Sequence, residues 1–279
     1  MSIEDAFASA SKKRVLFLGE EIEDVYHYGK LQGRPLKEAI ICIEYQHSEA
    51  FQGGVIAAAR HAKTLCAVVH TASARRVRKE RYIEEAHTRK LFEVYSANYA
   101  LPSPLLVGLE GYDAVIVTDF GHGMMTPQMV EHVCHQARFL AVNVQTNSGN
   151  YGFNLATKYP RCDYLCMDEV EARLATHNRD GSIEDSLEEL SGISPRVAVT
   201  LGREGAIGTG GIRAPALFKP VVDTMGAGDA FFAVTACVAE DVGMEDLLRI
   251  GNAAGALKTQ IVGHRKAVSK HDLLAYLSR

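Results

Sequence analysis

Between Val222 and Phe232 the chain reads VDTMGAGDAFF, two glycines opening an apolar helix with an aspartate directly behind them. Gly226, Ala227 and Gly228 carry little or no side chain, so their backbone N–H groups can approach an anion closely at the positive end of a helix. Asp229 then stands beside the bound anion. A carboxylate in that place can take the proton of a hydroxyl attacking a γ-phosphate while the amides hold the charge that develops on the transferred group. The string predicts an anion hole of Gly226, Ala227 and Gly228 with Asp229 as general base. Its plainer alternative is a glycine-rich turn leading into a buried helix, since AFFAVTACVA is apolar on most faces.

Such a turn needs a scaffold, and 279 residues with 47% hydrophobic content can bury the core of one α/β domain spanning 1–279, with no second catalytic domain expected. A net charge of −4 makes no electrostatic case for a nucleic-acid or membrane partner. The basic run RRVRKERY, Arg75 to Tyr82, is the local exception; it is expected to be a solvated strand face, though it could touch a substrate phosphate. The six cysteines have no CxxC spacing and are expected to be reduced core thiols, Cys42 and Cys66 inside apolar strands. His132, Cys134 and His135 do not share one face of the helix predicted over Thr126–Gln136, which disfavours a metal site. There is no signal-peptide pattern and no membrane-length apolar run, so cytoplasm is the expected location.

Strand and helix patterns alternate. Strands are predicted at Arg14–Gly19, Ala67–His70, Ala114–Thr118, Phe139–Val144, Tyr164–Met167 and Arg196–Leu201, and helices at Val55–Lys63, Thr126–Gln136, from Asp168, from Ala227 and from Glu245. This rhythm predicts a parallel sheet covered on both faces, with ligands at the C-terminal ends of its strands. Two stretches rich in β-branched and aromatic residues, Glu38–Phe51 and Lys79–Tyr95, break it and are assigned to a small β lid.

DTMGAGD resembles the C-terminal signature of the ribokinase-like (PfkB) family of sugar and nucleoside kinases. The resemblance runs over nearly the full length and is closest to the kinase domains acting on heptose 7-phosphate, through VLFLGEEIEDVYHYG, FQGG, VIVTDFGHG, TLGREG and GNAAGA. It implies a ribokinase-like three-layer α/β/α sandwich with a mostly parallel central sheet and a small β lid. It further implies an ATP-dependent sugar kinase using magnesium, with a lid that often pairs with a second copy to form a homodimer.

Residue by residue, the resemblance places Asp24, Gly53 and Gly54 against the sugar. Thr200, Gly202 and Gly205 fall in the turn beneath the ATP phosphates, Asn252 lines the adenine pocket, and Asp168 with Glu171 occupies the NxxE element that positions magnesium and its waters. Potassium is often bound beside the anion-holding turn, where Asp223 and nearby carbonyls are the candidates. The departures cluster at the acceptor end. Ala57 stands for an asparagine, Asp168 for the asparagine of NxxE, His122 for the lysine of DYxKG, and Asn143, Val144 and Gln145 for DPK. His122 and Asn143 remain candidate substrate contacts. The chain is short between Ser73 and Arg75, and the amide-rich NVQTNSGNYGFN, Asn143 to Asn154, could supply replacement hydrogen bonds. These departures keep a kinase-shaped sugar or nucleotide sensor as an alternative. A nicotinamide oxidoreductase is disfavoured because the first strand leads into GEEIED instead of GxGxxG.

Overall fold

The computed structural model describes residues 1–33, 37–97, 107–217 and 220–278. Helix α1 (Ile3–Ala10), capped by the Ser2 hydroxyl, precedes the first core strand, β1 (Arg14–Gly19). The chain then leaves the core for β2 (Glu21–Gln32) and β3 (Cys42–Gly54), and returns through α2 (Val55–Ala62) and β4 (Val68–Ala72). A second excursion forms β5 (Arg76–Glu84) and β6 (Arg89–Ala97).

The remainder alternates as the sequence predicted. It runs β7 (Ala114–Asp119), α3 (Pro127–Gln136), β8 (Leu140–Val144), β9 (Tyr164–Asp168), α4 (Glu169–Ala175), α5 (Ile183–Leu190) and β10 (Val197–Thr200). Two short strands, β11 (Ala206–Gly208) and β12 (Ile212–Ala214), lead to α6 (Ala227–Val238), α7 (Met244–Lys258) and α8 (Lys270–Leu277).

The central sheet has the order β12-β11-β10-β9-β8-β7-β1-β4 and is parallel from β10 to β4, with antiparallel pairing only at β10–β11 and β11–β12. Its middle strands are buried on both faces, and period-2 alternation sends their side chains into two cores. Val15, Phe17 and Ile116 pack with α1, α2, α6, α7 and α8. Leu16, Leu18 and Val117 pack on the opposite side with α3, α4 and α5. The result is the three-layer sandwich that the resemblance implied.

The lid is a separate four-stranded sheet, β3-β2-β5-β6. It is larger than the two stretches expected from sequence. β2 is not among the predicted strands, β3 begins at Cys42 rather than Glu38, and 79–95 is a hairpin of two strands turning at Thr88 with φ 52°. Cys42 is exposed, not a core thiol, because β3 is the outer strand of the lid; Cys66 is buried, as expected. The basic run also needs correcting. Alternation along β5 turns Arg76 and Arg78 outward but Val77, Arg81 and Ile83 inward, so only half of it is a solvated face.

His132 Nε2 donates to the Val107 carbonyl at 2.9 Å, Cys134 is buried, and His135 is exposed, so the three do not converge. Among the described residues no helix is long and apolar enough to cross a membrane.

Candidate active site

Two cavities open along the C-terminal edge of the sheet and meet at the turn into α6. The first, about 270 Å³, lies between lid and sandwich; the second, about 350 Å³, lies over β10, α6 and α7. Thr200, Thr224, Ala227 and Gly228 line both. This shared wall is the turn that the sequence singled out. Gly226 has φ +72°, a left-handed conformation that L side chains rarely adopt, and a Cβ there would stand 3.0 Å from His264 Cε1. The turn delivers the first amides of α6 to the point where the cavities join.

Asp229, in the first turn of α6, faces the first cavity. Its Oδ1 accepts a hydrogen bond from Gln145 Nε2 at 2.5 Å. Burial raises its carboxyl above the ordinary aspartate value and Asp24 adds to this, against the opposing pull of His264, Gln145 and Lys258. A raised carboxylate is a stronger base.

Facing it from the lid, Asp24 is 3% exposed and bonded by Arg81 Nη1 on one oxygen, with His264 Nε2 at 3.4 Å from the other. Burial pushes Asp24 up, but the His264 hydrogen bond and the Arg81 charge outweigh it and hold the carboxyl below its usual value. Arg81 is anchored in turn by Glu93 at 2.7 Å. Gly53 explains the diglycine: a Cβ there would lie 2.3 Å from Asp24 Oδ2, so any side chain would displace the carboxylate. Gly54 lines the cavity and Gly53 stands just behind Asp24.

Lys79 lines the same cavity from β5 and makes no hydrogen bond among the described residues. Burial lowers its pKa, while Glu93, Asp24 and Asp229 hold it up against Arg81. His122, expected at the acceptor end, does not line the cavity. Its backbone N–H is held by Glu20 Oε1 at 3.0 Å, and burial together with Lys79 and Arg75 lowers the ring pKa to about 4. A neutral imidazole turned aside cannot supply the charge of a lysine, and Lys79 brings one in from the lid instead. Asn143 lines the cavity with its amide already engaged, donating to the Cys166 carbonyl at 2.9 Å and accepting from Gln145 at 2.9 Å. In the amide-rich segment Asn147 and Asn150 donate to the Phe120 carbonyl and Asn154 to the Asp119 carbonyl, which fixes the cavity floor.

Asp168 and Glu171 form a capping box on α4: Asp168 Oδ1 accepts from Glu171 N and Glu171 Oε2 from Asp168 N, both at 2.8 Å. Both line the cavity. Burial and the Asp168 charge push Glu171 up to about 8, against backbone N–H groups of Asp168 and Thr146. No cluster of three or more His, Cys, Asp or Glu side chains capable of holding a metal occurs among the described residues. For the magnesium that the resemblance implies, these two carboxylates are the candidate protein residues.

The second cavity is the more apolar. Gly202, Gly205, Leu217, Phe231 and Asn252 line it, and Asn252 Nδ2 donates to the Ala214 and Pro215 carbonyls, each at 3.0 Å, tying α7 to β12. Asp223 lines neither cavity. Its Oδ1 accepts from Met225 N and Lys90 Nζ, its Oδ2 from Gly263 N and Tyr26 OH, so the carboxylate is saturated by protein donors and does not fit a potassium ion.

Sequence reasoning missed four residues that shape the site. Lys79 and Arg81 were legible in the alternation of the basic run. His264 arrives from the loop after α7, and Glu20 from the turn after β1, with no spacing to announce either.

The model of the family described as "pfkB family carbohydrate kinase" matches residues 54–270. Bifunctional protein HldE of Campylobacter jejuni is 29% identical over 163 residues, 56% of this chain and 35% of that protein. ATP-dependent 6-phosphofructokinase isozyme 2 of Escherichia coli is 38% identical over 97 residues, 32% of this chain and 31% of that protein. The matched stretches thus span about a third of the length of these relatives. Among solved structures, the ribokinase of Thermotoga maritima has a TM-score of 0.71 at 15% identity, covering 96% of this chain and 100% of that one. Phosphofructokinase-2 of Escherichia coli in complex with potassium has 0.67 at 19% identity, with 96% and 100% covered. At these identities the structural likeness speaks for the fold.

Proposed function

The chain belongs to the pfkB family of carbohydrate kinases and is a sugar kinase; from that premise we propose that it transfers the γ-phosphate of ATP to a hydroxyl of a heptose phosphate or a related phosphorylated sugar. We read residues 1–279 as one kinase domain with its lid. The sugar lies in the first cavity against Asp24, Gly53 and Gly54, and the nucleotide in the second, over Thr200, Gly202, Gly205 and Asn252. Magnesium on the phosphates neutralises charge during transfer. Asp229 takes the proton of the attacking hydroxyl, the new O–P bond forms as the bond to the leaving ADP breaks, and Gly226, Ala227 and Gly228 hold the transferred group.

The observation that carries this reading is the junction of the two cavities at the Thr224–Gly228 turn with Asp229 on the acceptor side. The motif resemblance carries the heptose assignment. The phosphate on the acceptor is suggested by Lys79, a half-buried ammonium with no hydrogen-bonding partner among the described residues. An ammonium taken partly out of water without a hydrogen-bond acceptor is costly, and a substrate phosphate would supply that acceptor.

The test is ADP formation from Mg-ATP across heptose 7-phosphates, unphosphorylated heptoses, fructose phosphates, ribose and nucleosides. Lys79→Ala is expected to raise KM for the phosphorylated acceptor about 10–100-fold, the loss of one charge-assisted hydrogen bond. KM for ATP should not change. Equal effects on phosphorylated and unphosphorylated sugars would remove the phosphate from the assignment, and silence across the panel with ATP still bound would favour a sensor.

We also propose a homodimer formed through the lid. Its outer face carries a row of rings across all four strands: Tyr82 stacks on Phe92 at 4.4 Å and on His27 at 4.7 Å, and Tyr45 lies 6.4 Å beyond His27. Tyr45 and Phe92 are exposed. Such a row on an open sheet suits an identical sheet packed against it. Light scattering at micromolar protein should report twice the chain mass, and Phe92→Glu should halve it; a monomeric wild type would sink the proposal.

A further inference from the structure

Lys258, the last residue of α7, has no exposed surface. Its ammonium makes no ion pair within contact distance among the described residues. Instead Nζ donates to three backbone carbonyls, Met225 at 2.6 Å in the turn before α6 and Gly263 at 2.7 Å and Ile261 at 3.3 Å in the loop that follows α7. Three acceptors around one nitrogen require three N–H donors, so the group is an ammonium and not a neutral amine.

A cage of backbone carbonyls beside a carboxylate is the oxygen-rich surrounding that a bare monovalent cation would need. Burial, with the Lys90 charge, lowers the Lys258 pKa below the ordinary lysine value, while Asp223 and Asp229 are close enough to favour the ammonium through space. The Lys258 side chain also lies directly beneath the anion-holding turn, because a Cβ on Gly226 would stand 3.4 Å from Lys258 Cε.

We infer that the Lys258 ammonium is a built-in monovalent cation, taking the place that the family resemblance would give to potassium and making the protein independent of that ion. The inference rests on reading the first cavity as a phosphoryl-transfer site. By holding the Met225 carbonyl, Lys258 fixes the following peptide plane, so the Gly226 N–H points away from the ammonium. It also places a positive charge under the turn at which the transferred phosphoryl group gains negative charge, with no ion to recruit from solution.

Thermal unfolding and turnover in potassium, sodium and tetramethylammonium chlorides at one ionic strength test this. For the wild type both are expected to be the same in all three salts. Lys258→Ala empties the carbonyl cage: turnover should fall about tenfold or more in tetramethylammonium, Tm should fall with it, and potassium or ammonium should restore part of both. A wild-type Tm or turnover that rises when potassium replaces tetramethylammonium overturns the inference and needs no variant. A folded Lys258→Ala protein indifferent to potassium and ammonium overturns it too. Because Tm reads without turnover, a chain inactive on every sugar but insensitive to the salt would leave this inference standing while the proposed reaction fell.

Discussion

Replacing Asp229 by Asn is expected to lower kcat by about 10²–10⁴-fold, the usual worth of a positioned general base, while ATP binds as before. The substitution is close to isosteric. An Asn side-chain oxygen can still accept the 2.5 Å hydrogen bond from Gln145 Nε2, so the turn and the first turn of α6 should keep their shape. What is lost is the capacity to receive a proton, and the new NH2 presents a donor where an acceptor is needed. The second cavity around Asn252 and Phe231 is untouched. The check is kcat at saturating acceptor alongside calorimetric ATP affinity. Turnover within tenfold of wild type would remove Asp229 from the role of base. Because burial raises its pKa, the acid limb of the wild-type rate profile should lie above the ~4 of an ordinary aspartate. Activity should fall as pH drops through that raised value.

The second large effect is structural. Glu20, with no exposed surface, follows β1 and receives three backbone N–H groups, from Phe120 at 3.1 Å, His122 at 3.0 Å and Met124 at 3.2 Å. One carboxylate thus fixes the turn after β7, and through Phe120 a wall of the first cavity. Glu20→Ala leaves three buried donors without an acceptor and is expected to cost about 3–5 kcal/mol of stability. At roughly 2–4 °C per kcal/mol for a chain of this size, Tm should drop by roughly 10 °C. A loss below about 1 kcal/mol would mean that water replaces the carboxylate.

Burial and the neighbouring Asp119 charge push Glu20 from 4.5 up to about 7. A carboxyl whose pKa is raised on folding contributes stability that is fully present below its unfolded value and is lost as pH rises through the folded one. The wild type should therefore lose stability as pH rises from 4.5 to about 7 relative to Glu20→Gln, whose side chain does not titrate. Urea unfolding at the two ends of that window measures it, and parallel curves would contradict it.

How much of this was legible in the sequence depends on whether a residue's role is local. The α6 turn could be read because glycine spacing and the following apolar run lie within a dozen residues. The central strands could be read because burial on both faces makes them continuous apolar runs such as Val115–Val117. β2 could not, since acids and aromatics alternate along it in a way that a loop also permits. Asp24, which lines the first cavity, could be singled out on the strength of a motif, whereas its partners Arg81 and His264 are 57 and 240 residues away in sequence. The potassium expectation shows the same limit: Asp223 is visible in DTMGAGD, but the ammonium that fills its surroundings belongs to the end of a helix 35 residues later.

The common wall formed by Thr200, Thr224, Ala227 and Gly228 sets a bound on how separable the two ligands can be. A substitution at Ala227 or Gly228 should alter the apparent affinities for nucleotide and acceptor together, so no variant there can serve as a clean probe of one alone. The same adjacency favours a single tethered ligand. One molecule joining adenosine to a sugar through a short polyphosphate chain would fill both cavities at once, and its second half would bind at the millimolar effective concentration that a short linker sets, with no new protein contact.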